Sequence, residues 1–375
     1  MQNLFINKIH IDKVRHLKNV DIVLSDTERK HLIITGKNGS GKTSLLEAMR
    51  DDILYEQEVI PPGMIGGRFV KPKKSGLDIS YTQNISNLSD FIFVYIPARC
   101  SDFILPTSIE SVEIKDKKKV TENASKEFLR YILSLDYQLY SAKSDNNKIL
   151  EANLEKWFDN FLTALRDIYD CNELNLKRDA KNLAFKIEMP GYEPFALHEM
   201  SDGYAAFLNI IMELLMRLES SNAVVEYEKP AIVMIDEVEA HLHVELQRRI
   251  LPFLTQLFPK IQFIVTTHSP FVMTSLENAV VYDLEKNERL EKPSFYSYET
   301  MVESFLGVST YSEELIRYFD RYKELCFKQR TPEENEEFLQ AKAELEIRSI
   351  PSTELYIAFQ DLEKRRKAAK NDSSQ

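Results

Sequence analysis

The stretch that most constrains this chain is Gly36-Lys-Asn-Gly39-Ser40-Gly41-Lys42-Thr43, a match to GxxxxGK[ST]. It follows the continuous apolar run His31–Thr35, which reads as a strand buried on both faces, and precedes helix formers reaching Arg50. A strand before and a helix after are the context this motif requires. The glycines let backbone N–H groups turn inward with no side chain in the way, and the helix N-terminus adds the positive end of its dipole. Such a loop fits an α/β fold and predicts a bound nucleotide. Gly36, Asn38, Gly39, Ser40, Gly41, Lys42, Thr43 and Ser44 are the candidate binding residues, with Lys42 reaching the β- and γ-phosphates and Thr43 holding Mg²⁺.

A chain of 375 residues, at about 150 per domain, has room for two or three units. Lys and Arg number 48 against 59 Asp and Glu, a formal charge of −11, which argues against a surface given over to nucleic acid. Cys100, Cys171 and Cys326 are far apart, so neither a disulfide framework nor a zinc knuckle is expected, and a cytoplasmic, reducing compartment is. Lys8 and Asp12 break the apolar start, and Glu213 and Arg217 interrupt the longest apolar run, Phe207–Leu218. No signal peptide or membrane span is predicted.

Periodicity predicts strands at the N-terminus and at Val20–Leu24, Leu77–Thr82 and Phe91–Ile96, then helices over Ala124–Leu139 and Leu150–Tyr169. Strands at Leu174–Leu176 and Leu183–Met189, a helix at Tyr204–Leu218, the strand Ala231–Ile235, a helix at Val244–Leu257 and strands at Ile261–Thr267 and Val280–Leu284 follow. From Ser297 the sequence is helical and charged. The expected organisation is a head built from 1–100 and 173–290, a helical insertion at 101–172 and a helical extension at 291–375.

Three further motifs carry chemistry. In Ala231-Ile-Val-Met-Ile-Asp-Glu the apolar strand runs into two carboxylates, Asp236 placed to hold Mg²⁺ and Glu237 to take a proton from an attacking water. His241 and His243 are read as a turn into the next helix rather than a metal cluster. Thr266-Thr-His268-Ser-Pro270 ends another buried strand, with Ser269 as N-cap, Pro270 at the first helical position and His268 on the edge where ligands of parallel sheets sit. Ser201-Asp-Gly203 opens a long apolar helix, and taken alone it is a helix cap.

The order of these motifs resembles the P-loop ATPase heads of the ABC type, in the branch of SMC, RecF and OLD proteins that includes AAA-family ATPases of bacterial anti-phage defence systems. The resemblance covers residues 1–285. It implies a mixed, largely parallel sheet flanked by helices, with Lys42 and Thr43 in Walker A, Asp236 and Glu237 in Walker B, Glu239–His243 in the D-loop region and His268 at the switch position. Ser201 and Gly203 then stand at the signature motif and act in trans on ATP held by a second copy, so a homodimer or higher oligomer hydrolyses ATP with Mg²⁺. Met200 and Asp202-Gly203-Tyr204 depart from the LSGGQ wording, and neither Gln83 nor Arg99 has the expected Q-loop placement.

The tail is short, helical and without an acidic cluster for catalytic metals, so a nuclease or toxin effector is expected as a separate protein, with this chain as sensor and scaffold. The alternative is a RecF-like DNA-repair clamp using the basic stretches Lys71–Lys74, Lys115–Lys119 and Lys364–Lys370. Charge runs are more often solvated surface, so nucleic acid is a secondary partner and a membrane none.

Overall fold

The computed structural model describes residues 4–59, 76–82, 92–98, 127–179, 181–218, 225, 227, 229–307, 309, 311–348 and 354–372. The chain divides into two compact units, Met1–Tyr298 and Glu299–Gln375. In the first, β1 (Ile6–Val14) and β2 (Leu17–Val23) form a hairpin, and β3 (His31–Thr35) passes through the glycine loop into α1 (Lys42–Val59). Next come β4 (Gly76–Tyr81), β5 (Ile92–Ile96), α2 (Phe128–Ser144), α3 (Lys148–Tyr169), β6 (Asn175–Asp179), β7 (Ala184–Glu188) and β8 (Phe195–Ala196). The unit continues with α4 (Asp202–Leu218), β9 (Ala231–Ile235), α5 (Val244–Leu257), β10 (Ile261–Thr266), α6 (Pro270–Met273), β11 (Ala279–Asp283) and β12 (Glu288–Glu291).

The central sheet has the order β12-β11-β3-β10-β9-β5 and is parallel except for the edge strand β12. Every residue of β3, β9, β10 and β11 is buried, which is why these segments read as unbroken apolar runs rather than alternating ones. β10 separates β3 from β9, in a register that pairs Val265 with both Ile33 and Ile235. The glycine loop, the Asp236 turn and the His268 segment therefore leave the sheet at the same edge.

A second sheet, β2-β1-β4, is antiparallel. α1 shares one core with both sheets: Leu45, Leu46, Met49 and Ile53 are fully buried among Ile9, Ile11 and Ile79 on one side and Leu32, Ile34 and Met234 on the other. Each such side chain contributes about 1.5–3 kcal/mol of burial energy, so the helix that carries Lys42 is fixed from two sides. The buried Gln262 carboxamide ties the sheets further, accepting from the Ile6 N–H at 2.7 Å and donating to the carbonyls of Ile6 and Lys30 at 2.9 and 2.8 Å.

His31 gives this core a pH dependence. Its Nδ1 accepts the Phe263 N–H at 3.1 Å, and burial, helped by the Arg29 guanidinium, pushes its pKa from 6.5 down to about 3. The folded ring stays neutral while the unfolded one binds a proton below 6.5, so its stabilisation is complete above that pH. It is lost as the pH falls toward 3, at about 1.4 kcal/mol per pH unit. His31→Gln should remove one proton's worth of slope from urea-unfolding stability between pH 6 and 4, roughly 1.4 kcal/mol per unit; an unchanged slope would contradict the assignment.

Several elements differ from the sequence expectation. β2 begins at Leu17 rather than Val20 because Arg15 and His16 close a two-residue turn that pairs Val14 with Leu17 at once. α3 starts at Lys148, where the Asn147 side chain accepts the Leu150 N–H, and α4 starts at Asp202, two residues before the expected boundary. α2 runs on to Ser144, and residues 124–126 of its expected start lie outside the described residues, as does most of the insertion before it. The short strands β8 and β12 were not expected. α2 and α3 pack through Phe128, Tyr131, Trp157 and Phe161, with ring centroids 5.4–6.4 Å apart.

The second unit carries helices Glu313–Cys326, Pro332–Arg348 and Glu354–Asp372 around Tyr322, Leu325, Phe338, Leu345 and Phe359. Inside it, buried Glu363 accepts from the Tyr322 hydroxyl and pairs with Arg366 at 2.9 and 3.0 Å. Burial raises the carboxyl's pKa, but the bonds from Arg366 and Tyr322 outweigh it and hold it at about 2. Arg366 of the basic stretch is thus committed within the unit. Lys71–Lys74 and Lys115–Lys119 lie outside the described residues. Among the described residues no helix is long and apolar enough to cross a membrane.

Candidate functional site

Gly36, Gly39 and Gly41 have φ of 137°, 85° and 100°, backbone that side-chain-bearing residues rarely adopt. At Gly36 a Cβ would also lie 2.7 Å from Ser40 Oγ, so the loop's curvature depends on glycine there. Lys42, the first residue of α1, is buried and donates from Nζ to the Gly36 and Lys37 carbonyls at 2.9 and 3.2 Å. Desolvation lowers its pKa, opposed by the carboxylates of Glu237, Glu239, Asp236 and Asp283. Asn38 and Thr43 are exposed and Ser44 is half-buried. Lys37 is pinned to Glu285 at 2.8 Å, while Asp283, at the end of β11, accepts the Glu285 and Lys286 N–H groups. On the other flank His16, in the β1–β2 turn, lies 3.0 Å from the Ser40 carbonyl.

Beyond β9, Asp236 is buried, donates its N–H to the Ile96 carbonyl at 2.9 Å and accepts the Thr266 hydroxyl at 2.6 Å. The same hydroxyl oxygen accepts the Glu237 N–H at 2.7 Å, so one threonine sets both acidic residues. Glu237 is exposed, with φ of 48°. Holding a glutamate in the left-handed region costs roughly 1–3 kcal/mol, and such strain clusters at functional sites. Glu239 reaches across to β10's exit, where its Oε1 accepts the His268 N–H at 2.5 Å. Burial and the nearby Lys42 charge lower the His268 pKa, against Glu239 and Glu237, so the imidazole is neutral at pH 7.

Among the described residues, the buried polar atoms Thr35 Oγ1, Ser40 Oγ, Glu239 Oε2 and His268 Nε2 around this cluster have no hydrogen-bond partner. Buried polar atoms are rarely left so unless something else satisfies them. A lysine in a glycine loop, a hydroxyl-bearing helix start and a buried aspartate form a donor set suited to a nucleotide phosphate and a hard divalent cation.

The structure brings Lys42, Asp236, Glu237 and His268 together. Ser201 is exposed at the start of α4, its carbonyl accepting the Ala205 N–H at 2.9 Å, and Gly203 is buried against the turn after β9, where a Cβ would come within 3.0 Å of the His241 carbonyl. Among the described residues no hydrogen bond joins Ser201 or Gly203 to the glycine loop. Ser269 caps α6, accepting the Phe271 and Val272 N–H groups at 3.2 and 3.3 Å, with Pro270 following. Gln83 and Arg99 lie outside the described residues. Sequence reasoning missed Thr266, although a hydroxyl at the end of a buried strand beside Asp236's strand is a signal for such a bond. It also missed the position of Tyr95, whose pKa is pushed up to about 12 by burial and the Asp236 charge, with Arg50 stacked 5.1 Å from its ring.

Residues 105–274 match the family described as "AAA domain, putative AbiEii toxin, Type IV TA system", and residues 8–63 match a second AAA domain family. Both matches are to AAA-domain families. Among curated proteins, the chain is 28% identical over 354 residues to the Septu protein PtuA of Bacillus mycoides (strain KBAB4), covering 85% of this chain and 47% of that protein. It is 25% identical over 281 residues to the Retron Vc95 probable ATPase of Vibrio cholerae serotype O1 biovar El Tor, covering 68% of this chain and 51% of that one. The chain thus spans about half the length of these relatives. Among solved structures, an SMC head bound to the C-winged helix domain of ScpA aligns with a TM-score of 0.42 and 15% identity, covering 78% of this chain and 100% of that chain.

Proposed function

We propose that the ATPase binds ATP and Mg²⁺ at the glycine loop and hydrolyses ATP in a site that a second copy completes with Ser201 and Gly203. The observation that carries this reading is the convergence of Lys42, Asp236, Glu237 and His268 at the ends of three adjacent parallel strands. Lys42 exchanges its bonds to the loop carbonyls for phosphate oxygens, which explains a buried ammonium held, among the described residues, by the carbonyls of its own loop. Thr43 and Asp236 hold the cation, which when bound supplies charge neutralisation at the phosphate oxygens. Glu237, exposed and held by its N–H to Thr266, accepts the proton of the attacking water. Neutral His268 donates from Nε2 to the phosphate end. Ser201, exposed beside Asp202 at the start of the 17-residue α4, makes no hydrogen bond to its own chain's phosphate loop among the described residues, which supports use across protomers.

By relation to a Septu protein and a retron ATPase, and by the resemblance of its motifs to defence-system ATPases, the chain is proposed to act in the bacterial cytoplasm as an oligomeric sensor and scaffold. In that role it controls a separate nuclease or toxin. The experiment that tests the shared site is the mass of Glu237→Gln in solution with and without ATP. ATP should raise it to at least twice the chain mass, and an unchanged mass would contradict a site shared between copies.

A further inference from the structure

Gln247 lies in the first turn of α5, away from the phosphate loop, yet its side chain joins the two segments that carry the proposed chemistry. Its Nε2 donates to the Leu242 carbonyl at 2.7 Å, and its Oε1 accepts from the Ser269 hydroxyl at 2.7 Å. The direction of both bonds is forced. A carbonyl only accepts, so the NH₂ must face Leu242 and the oxygen must face Ser269. Ser269 uses its lone pairs on the Phe271 and Val272 N–H groups, which leaves its single proton for Gln247. Leu242 ends the turn that begins with Asp236 and Glu237, and Ser269 follows His268 directly.

We propose that Gln247 is a positioning residue for ATP hydrolysis: its carboxamide locks the carboxylate turn to the His268 segment, so that Glu237 and His268 hold one fixed separation. The inference rests on the ATPase reading above. Other ties between the same two segments lie nearer the strand ends: Thr266 bonds Asp236, Glu237 and Val238, and Glu239 Oε1 accepts the His268 N–H. The Gln247 bridge ties the far end of the carboxylate turn, Leu242, to Ser269, the residue directly after His268, and so fixes the part of both segments beyond those bonds. Ground-state nucleotide binding depends on the glycine loop and Lys42, which Gln247 does not touch, so its loss should fall on turnover and not on affinity.

Two variants separate this role from a structural one. Gln247→Leu keeps the bulk and removes both bonds; it should bind ATP within about twofold of wild type and lower kcat by about tenfold, with KM unchanged. Gln247→Glu restores the bridge only when protonated, because a carboxylate cannot donate to the Leu242 carbonyl whereas a carboxylic acid can donate to it and accept from Ser269. Its kcat relative to wild type should therefore climb as the pH is lowered, a recovery that Gln247→Leu does not show. Wild-type kcat in Gln247→Leu, or a Gln247→Glu ratio that stays flat with pH, would overturn the proposal. A Gln247→Leu chain that loses ATP affinity and melting temperature together would make the residue structural and overturn it too. If wild type itself hydrolyses no ATP, the reading of the site fails; if wild type turns over and Gln247→Leu matches it, this inference alone fails.

Discussion

Glu237→Gln should bind ATP as wild type does and hydrolyse it about 10²–10⁴-fold more slowly, the range that a positioned general base supplies. The amide keeps the shape and hydrogen-bonding reach of the carboxylate but accepts no proton from water. The substitution also leaves the local backbone alone, because residue 237 is held through its N–H on Thr266 Oγ1 and through the left-handed turn, not through its carboxylate. Single-turnover phosphate release from bound ATP is the measurement that checks it. Turnover equal to the parent would move the base elsewhere, and the neighbouring candidate is Glu239, whose buried Oε2 has no hydrogen-bond partner among the described residues. Glu239→Gln is the matching control: it keeps an oxygen acceptor for the His268 N–H and should retain most of the activity.

Lys42→Ala should lose ATP affinity on the order of 10²-fold, since a charge-assisted bond contributes about 1.5–3 kcal/mol and this ammonium is placed to make more than one. The change also leaves Asp236, Glu237, Glu239 and Asp283, the four carboxylates whose charges act on Lys42, without that cation among them. Calorimetric titration with ATP and Mg²⁺ checks the prediction, and undiminished binding would remove the phosphate-loop assignment. Melting of the nucleotide-free variant separates lost binding from lost folding.

What was legible in the sequence follows how far apart the interacting residues lie along the chain. The glycine loop between β3 and α1 is one contiguous stretch, and burial on both faces makes β3, β9 and β10 continuous apolar runs, so motif and strand type could be read together. The sheet order β3-β10-β9 was not legible, yet it decides that Thr266 bonds Asp236 and Glu237, residues 30 and 29 positions away. Gln247 was invisible for the same reason: a glutamine in an amphipathic helix reads as surface until the fold brings Ser269 to it. β12 was missed because Glu-Arg-Leu-Glu has the composition of a solvent-facing edge, and its strand state comes from pairing with β11. Nor did the apolar pattern of β1, β2 and β4 show that they form their own antiparallel sheet over α1, since period-2 alternation is the same whichever sheet a strand joins.

The central claim, that two copies build each working site, is tested most directly by mixing two defective chains. Lys42→Ala lacks a competent phosphate loop and keeps Ser201; Ser201→Arg keeps the loop and blocks the surface offered to the other copy. Each alone should be inactive, and the mixture should regain ATP hydrolysis through pairs holding one intact composite site. A mixture as inactive as its parts, with both chains folded, or a fully active Ser201→Arg chain, would contradict the account.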